Sequence, residues 1–326
     1  MTDQLLAPSR LLLPEGRRTE EQYMRQVFLQ VRDLLRQWFA SQGRSDPIDV
    51  ETIMDAALRL ATRDEDDIAP FVAQWSAGVR EPRWYGIQRP ALRAVAALVQ
   101  LGPAADLGYL TPLFDLTFRQ GGLTVATLNY DRTVEEAAWR SGKGVAVETG
   151  FTEWFGNPRL TFTDDSLRLL KLHGSADWVH VILSGMAHGG SGGDQFYSSS
   201  PPETLLNQAD DDEPGIIFGG RSKLRAEGPY LRLYQEFTEE LERASRLVVV
   251  GYSFRDQHIN HLIRNFVRRR GDVVVVDPFR SPELEQRIRI THDRYQPPVR
   301  FIEASVAAGL GDALFRPVTE LPEVEP

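Results

Sequence analysis

The sequence of 326 residues contains no cysteine. Disulfide bonds, a cysteine-ligated zinc site and a cysteine nucleophile are therefore all excluded. Histidine is also scarce, with six residues in the chain. Because histidine is the side chain whose charge ordinarily changes near neutral pH, each of the six is a candidate for acid–base chemistry.

Long hydrophobic runs are missing as well. No apolar run approaches the roughly 20 residues that a membrane-spanning helix needs, and the first residues do not follow the basic-then-apolar pattern of a signal peptide. We therefore expect a cytoplasmic protein that does not enter a membrane. Hydrophobic residues make up 42% and charged residues 25% of the chain, which is typical of a globular protein with a sizeable core.

An excess of positive charge is also lacking, since the formal net charge is −9 and the isoelectric point is about 5.3. Nucleic-acid phosphates are bound by clustered Lys and Arg, so we expect no direct nucleic-acid binding. The most basic segment, residues 264–270, ends a predicted amphipathic helix, where cations complement the helix dipole. The alternative interpretation, a phosphate site, is the less common use of such residues.

The first 118 residues show helical periodicity. Apolar residues recur at helical spacing over residues 20–40 and 49–61, and Asp49 is a plausible N-cap of the second segment. Pro90 and Gly102 are typical of the two ends of a third helix. The sequence therefore predicts a mostly helical N-terminal third.

From residue 119 onward, short Val-rich and Leu-rich runs alternate with helical segments. Strands buried on both faces have this appearance, so the sequence predicts a Rossmann-like parallel sheet flanked by helices, in a fold of the α/β class. We treat residues 1–326 as a single domain. Residues 182–215 are rich in Gly, Ser, Pro and Asp without periodicity, so we expect a flexible surface insertion there, with an acidic run exposed to solvent.

Four predicted strands end in conspicuous polar sequences. In open parallel sheets the ligand binds at the carboxyl ends of the strands, where glycine also lets a ligand approach the backbone closely. The alternative is four ordinary turns, but convergence at equivalent strand ends favours a site. These sequences are Asn129-Tyr130-Asp131, His173-Gly174-Ser175, Gly251-Tyr252-Ser253 and Asp277-Pro278.

Three other histidines are weaker candidates. His188 lies among the glycines of the insertion and indicates no chemistry. His258 and His261 are three residues apart on a predicted helix, but without a neighbouring carboxylate pattern they make a poor metal site. We interpret both as structural and predict no metal site.

Several motifs in the second part of the chain resemble those of one known family. They are "TLNYD", "LKLHGS", "IIFGGRSK" and "LVVVGYSFRDQHIN" followed by "VVVVDP". In order and spacing they resemble the sirtuin-like NAD-binding domains of bacteria, particularly those of anti-phage defence systems, over most of residues 45–280. The resemblance implies that Asn129 and His173 are the catalytic pair. It also implies cofactor contacts from Thr127, Asp131, Gly174, Ser175, Gly251, Tyr252, Ser253 and Asp277, with Asp131 on the nicotinamide side.

The sequence departs from this family in two respects. Its protein deacetylases carry a four-cysteine zinc module, which this chain lacks, so deacylation is the less favoured activity and no zinc is expected. A glycine-rich phosphate loop normally precedes the residues that resemble the start of this chain. We expect that the chain starts late, through a mis-assigned start codon or a truncation. The alternative is a degenerate nucleotide site.

The activity that the resemblance implies is NAD+ glycohydrolysis, the cleavage of NAD to nicotinamide and ADP-ribose, in anti-phage defence by NAD depletion. Asn129 would hold a water or a ribose hydroxyl, and His173 would accept a proton. The alternative is a catalytically weak or inactive nucleotide-binding or scaffold subunit of a defence complex. The expected partners are NAD itself and either further copies of the chain or a protein such as a HerA-type ATPase or an Argonaute-like protein.

Overall fold

The helical part of the fold is as extensive as the sequence predicts. A computed structural model describes residues 2–6, 12–13, 15–45, 48–61, 84–155, 158–183, 194–198, 209–217, 228–269, 271–291 and 299–321. Within these residues the α-helices are α1 Thr2–Leu6, α2 Arg18–Ser41, α3 Val50–Ala61, α4 Trp84–Leu98, α5 Thr111–Gln120, α6 Thr133–Ser141, α7 Tyr230–Arg243, α8 Gln257–Arg268, α9 Pro282–Thr291 and α10 Val306–Phe315.

The strands of the described residues form three sheets. They are β1 Leu123–Thr127, β2 Val147–Glu148, β3 Glu153–Trp154, β4 Leu167–Lys171, β5 Gly174–Leu183, β6 Asp194–Tyr197, β7 Ala209–Ile216, β8 Arg246–Val250, β9 Asp272–Val276 and β10 Arg300–Ile302. One sheet has the order β1-β4-β2, a second β10-β9-β8, and a third β3-β6-β5-β7. The first two are parallel throughout, which confirms the predicted α/β class with parallel strands flanked by helices.

The parallel strands fall into two separate sheets, whereas the sequence predicts one. Strand β1 is at an edge of the first sheet and β8 is at an edge of the second. Both edge strands are largely half-buried, while β4 and β9 are almost fully buried. Among the described strands, no hydrogen-bonded pairing joins β1 to β8.

Two helices hold the parallel sheets together from opposite faces. Leu233 and Phe237 of α7 share one buried cluster with Leu170 of β4 and Val249 of β8. On the other face, α10 contributes Leu310 to a cluster with β4, and Ala313 of the same helix packs against β9. Apolar burial on both faces therefore fixes the positions of the two sheets, which brings their strand ends into one region.

The predicted flexible insertion is wrong where the structure describes it. Residues 184–193, with His188, and 199–208 lie outside the described residues, but 194–197 and 209–216 form strands β6 and β7 beside β5. The acidic run is part of β7. Asp212 lies 3.3 Å from Arg93 of α4, and Glu213 lies 3.3 Å from His180 of β5, so these two carboxylates have partners on neighbouring elements.

The helix signals of the N-terminal third are mostly confirmed. Asp49 caps α3, because its Oδ1 accepts the backbone N–H of Thr52 at 2.8 Å. The basic end of α8 is also as predicted, with Arg268 in its last turn. Pro90 is inside α4 rather than at its start, because the helix begins six residues earlier at Trp84. The buried residues Ile87 and Ala91 pack into the N-terminal core on both sides of the proline, and this packing continues the helix through it.

Candidate active site

The two predicted catalytic residues occupy equivalent positions on neighbouring strands. The register of the parallel pair aligns Thr127 of β1 with Lys171 of β4. Asn129 and His173 each follow two residues later, so they leave the same edge of the sheet side by side. The backbone N–H of Leu172 donates to the Thr127 carbonyl at 3.0 Å, which extends the pairing to the start of both turns.

Asn129 faces solvent, and its neighbours form the turn that leads into α6. Its backbone N–H donates to Oγ1 of Thr127 at 3.1 Å, so the Thr127 hydroxyl has a local partner. Asp131 accepts the N–H of Thr133 at 2.9 Å and thereby stabilises the first turn of α6. The amide of Asn129 is left exposed at the strand end, while Thr127 and Asp131 shape the turn.

Gly174 and Ser175 are buried, and glycine is required at position 174 for a structural reason. Gly174 has φ +85° and pairs with Ile216 of β7, and a Cβ at Gly174 would overlap the carbonyl oxygen of Gly215. Glycine is therefore required at this position by the left-handed backbone and by the close approach of β7. Ser175 is fully buried, and its hydroxyl accepts a hydrogen bond from Nζ of Lys171 at 2.6 Å, so it has a partner within the protein.

A buried lysine organises the polar groups beneath the strand ends. The side chain of Lys171 is fully buried, and its Nζ lies 2.7 Å from Oε1 of Glu135 on α6. It also donates to Oγ of Ser175 at 2.6 Å and to the carbonyl of Asp131 at 2.7 Å. The hydroxyl of Ser175 is in addition hydrogen-bonded to Asp177. The charge of Lys171 thus ties the turns after β1 and β4 to each other.

The turn after β8 is held in a strained conformation. Gly251 has φ +59°, and the buried residue Phe254 has φ +53°, which is unfavourable for a side chain other than glycine. The hydroxyl of Tyr252 lies 3.0 Å from the carbonyl of Asp256 and 2.9 Å from Oδ1 of Asn260, while the Asn260 amide donates to the Phe254 carbonyl at 2.9 Å. This network stabilises the turn and fixes the start of α8.

The turns after β8 and β9 lie next to each other. The N–H of Gly251 donates to the Val276 carbonyl at 3.1 Å, directly before Asp277. Asp277 uses Oδ1 to accept the N–H of Phe279 at 2.8 Å. Ser253 is exposed, and its carbonyl accepts a hydrogen bond from Arg287 at 3.2 Å. Gly251 has open space around its Cα, so a ligand could approach the backbone there.

A contact between His173 and Asp256 links the two sheets at their strand ends. Nε2 of His173 lies 3.3 Å from Oδ2 of Asp256, and the two side chains are 6% and 10% exposed. Burial alone would raise the pKa of the Asp256 carboxyl, but the contact with His173 and the backbone N–H groups of Ile259 and His258 lower it below its ordinary value. The pair lines a pocket together with Leu172, Tyr230, Tyr234, His258 and Ile259.

Tyr234 belongs to the same electrostatic environment. Its pKa is raised, first by burial and then by the negative charge of Asp256. The pKa of Tyr252 is also raised by burial and by Asp256. Both phenols therefore remain neutral hydrogen-bonding groups near neutral pH, and neither is suited to act as a general base in this region.

The sequence predictions did not include Asp256 or Lys171. The signal for Asp256 was present, because in "GYSFRDQHIN" an aspartate precedes a helix just after a strand end, which is typical of an N-cap. Lys171 carried no such signal, since a lysine within a strand is ordinarily exposed. Only its surroundings identify it as a buried charge.

The two histidines of α8 have different surroundings. His258 lines the pocket, and His261 is exposed with its Nε2 3.1 Å from the Asn265 amide. Over the described ranges, no group of three or more His, Cys, Asp or Glu side chains is arranged to hold a metal ion. In the same part of the chain, no helix is both long enough and apolar enough to cross a membrane.

Comparison with known proteins identifies the family to which this chain belongs. A search of curated proteins finds no significant match. Among solved structures, a mutant Sir2 homologue in complex with ADP-ribose matches with a TM-score of 0.39 and 16% identity over 64% of each chain, so this chain spans less than two thirds of that protein. A Sir2 homologue in complex with NAD matches with a TM-score of 0.40 and 17% identity, over 74% of this chain and 73% of the other. The family model of the SIR2-like domain matches residues 123–295, more than half of the sequence, and the chain therefore belongs to the SIR2-like domain family.

Proposed function

We propose that this protein is an NAD+ glycohydrolase that cleaves NAD to nicotinamide and ADP-ribose. The observation that carries the proposal is the placement of Asn129 and His173 at adjacent strand ends of a SIR2-like domain. Sir2 homologues have been crystallised with NAD and with ADP-ribose, which supports a nucleotide of this kind as the ligand.

For this reaction the protein has to orient the substrate and the attacking water and to supply one base. The bond between the ribose and nicotinamide breaks, nicotinamide leaves as a neutral molecule, and positive charge develops on the ribose as in other glycoside cleavages. Water then attacks the ribose carbon, and its proton passes to a base. The exposed amide of Asn129 would orient the water or a ribose hydroxyl, and His173 would accept the proton.

The adenosine part of NAD would lie along the turns after β8 and β9. Gly251 is open to close approach, Ser253 is exposed, and Asp277 retains one carboxylate oxygen beyond its bond to Phe279. A carboxylate at such a strand end commonly binds ribose hydroxyls in dinucleotide-binding folds. The buried residues Gly174 and Ser175 would support the turn from below rather than touch the ligand.

Nicotinamide release from NAD by the purified chain tests the proposal. Replacement of Asn129 or His173 by alanine should abolish release while the thermal melting temperature stays close to that of the native chain. The matched control is His261→Ala, which removes an exposed histidine of α8 and should leave turnover unchanged. Turnover near the native level in either of the first two variants would contradict the assignment.

One observation favours a second candidate, a nucleotide-binding or scaffold subunit with weak or no activity. The burial of Gly174 and Ser175 removes two of the contacts that the resemblance implies. NAD binding without nicotinamide release, tested with the native chain alone and in the presence of its partners, would support this candidate. Deacylation is less favoured because the chain has no cysteine for the zinc module of the deacetylases.

The biological setting we propose is bacterial anti-phage defence by NAD depletion. In that setting the chain would act as a homo-oligomer or with a partner such as a HerA-type ATPase or an Argonaute-like protein. Loss of cellular NAD after infection, measured in cells that carry the native gene or its His173→Ala variant, tests this role. An equal fall of NAD in both would contradict it.

A further inference from the structure

The carboxylate of Asp256 contacts two separate parts of the candidate site. Its Oδ1 accepts the backbone N–H groups of His258 at 3.0 Å and Ile259 at 3.3 Å, and so caps α8. Its Oδ2 lies 3.3 Å from Nε2 of His173. We propose that Asp256 is a positioning residue that fixes the tautomer and the orientation of the His173 ring. That His173 is the base rests on the proposed function.

The charge of Asp256 determines which ring nitrogen carries the proton. An ionised carboxylate only accepts hydrogen bonds, so the nitrogen that faces it, Nε2, is the protonated one. In the neutral ring, Nδ1 is then the nitrogen that can take up a proton. Within the described part of the chain, Nδ1 has no hydrogen-bond partner. The distance of 3.3 Å is slightly long for a hydrogen bond, which is common for catalytic pairs before substrate binds.

The position of Asp256 is determined by more than its own helix. It follows the turn in which Phe254 has φ +53°, and the Tyr252 hydroxyl and the Asn260 amide brace that turn through its carbonyl groups. A strained backbone persists only where the surrounding structure imposes it. The strained turn places Asp256, the N-cap of α8, against His173, which follows β4. Because α8 follows β8, this contact connects the two parallel sheets at the candidate site.

A role in capping alone would not require this contact. Asp49 provides the comparison, because its Oδ1 accepts the N–H of Thr52 at 2.8 Å in the same way at the start of α3, and its carboxylate contacts Thr52 and Arg255 but no histidine among the described residues. Aspartate and asparagine cap helices about equally well, so replacement by asparagine preserves the cap. In Asp256→Asn, with Oδ1 still accepting the backbone N–H groups, the amide would present N–H donors to His173. The ring would then have to carry its proton on Nδ1.

The test compares the native chain with Asp256→Asn and with the matched control Asp49→Asn. Spectra of chains labelled with ¹⁵N in histidine report the tautomer of each ring without NAD, and His173→Gln identifies the signal of His173. We expect a proton on Nε2 in the native chain and in the control, and on Nδ1 in Asp256→Asn. We also expect kcat for nicotinamide release to fall about 100- to 10,000-fold in Asp256→Asn, with little change in KM.

The two readouts separate the inference from the proposed function. Both asparagine variants should still unfold in one cooperative thermal transition, since asparagine retains the cap, and Asp256→Asn also loses the stabilisation from the charged contact with His173. An unchanged His173 tautomer in Asp256→Asn would overturn the inference, whatever the activity. A switched tautomer in chains that never release nicotinamide would support the positioning role of Asp256 and contradict the proposed function instead.

Discussion

Lys171 and Glu135 form a salt bridge of 2.7 Å between the end of β4 and the first turn of α6, with the lysine side chain fully buried. A charge removed from water in this way is stable only with its partners in place, because desolvation of an unpaired ion costs several kcal/mol. Ser175 and the Asp131 carbonyl complete the set of acceptors around Nζ. The pair therefore supports the turns that carry Asn129 and His173.

Replacement of Lys171 by methionine should lower the free energy of unfolding by about 3–5 kcal/mol, because Glu135 is left without its cation. Urea unfolding followed by circular dichroism measures this loss. Arg243→Ala is the matched control, since Arg243 pairs with Glu240 at 2.8 Å and with Glu239 at 3.1 Å on an exposed helix face, where water screens the ion pairs, and its replacement should cost much less stability. Equal losses in the two variants would contradict a structural role for the buried pair.

Gly174→Ala should destabilise the protein and disturb the pairing of β5 with β7. The residue has φ +85°, and an added Cβ would overlap the backbone of Gly215. The left-handed conformation alone costs a side chain about 1–2 kcal/mol, and the overlap adds to it. Gly311→Ala is the control, because Gly311 is inside α10 with open space around it and should gain up to about 1 kcal/mol. Thermal melting measures both, and a Gly174→Ala variant as stable as the native chain would refute the argument.

Asp277 should make the protein prefer NAD to NADP. Its carboxylate would accept ribose hydroxyls at the end of β9 and repel a 2′-phosphate. We expect Asp277→Ala to weaken NAD binding by about tenfold or more, the effect of losing a charge-assisted hydrogen bond, and to reduce the preference over NADP. Titration calorimetry measures both affinities. Equal affinities of the native chain for NAD and NADP would contradict the role of Asp277 in the candidate site.

The stability of the native chain should fall in acid in a way that depends on Asp256. The pKa of its carboxyl is lower in the folded chain than in the unfolded chain, so the unfolded state binds the proton more readily. Its contribution is fully present above the unfolded value of about 3.9 and is lost as pH falls through the lower folded pKa. Urea unfolding at a series of pH values below about 5 measures the free energy of unfolding of the native and Asp256→Asn chains. The difference between these two free energies should shrink as the pH falls. A constant difference would contradict the lowered pKa.

The sequence by itself determined the elements whose signals are local. Uninterrupted valine runs such as residues 273–276 predict buried strands, and helical spacing with Asp49 as a cap predicts α3, because these patterns involve residues within one or two turns of each other. The sequence also predicted that Asn129 and His173 each follow the carboxyl end of a parallel strand, and β1 and β4 end two residues before them. Parallel strands of one sheet place their carboxyl ends at the same edge, so strand assignment alone is sufficient for this result.

Only the tertiary structure decided which polar residues are exposed at the strand ends and which face the interior. Ser175 follows His173 closely, yet it is fully buried against Lys171 and Asp177, and β7 pairs with β5 where the sequence predicted a flexible insertion. The contacts of Lys171 with Glu135 and of His173 with Asp256 join residues far apart in the chain. Burial and charge pairing of this kind depend on how sheets and helices pack, and no local periodicity encodes the distance between two side chains on different elements.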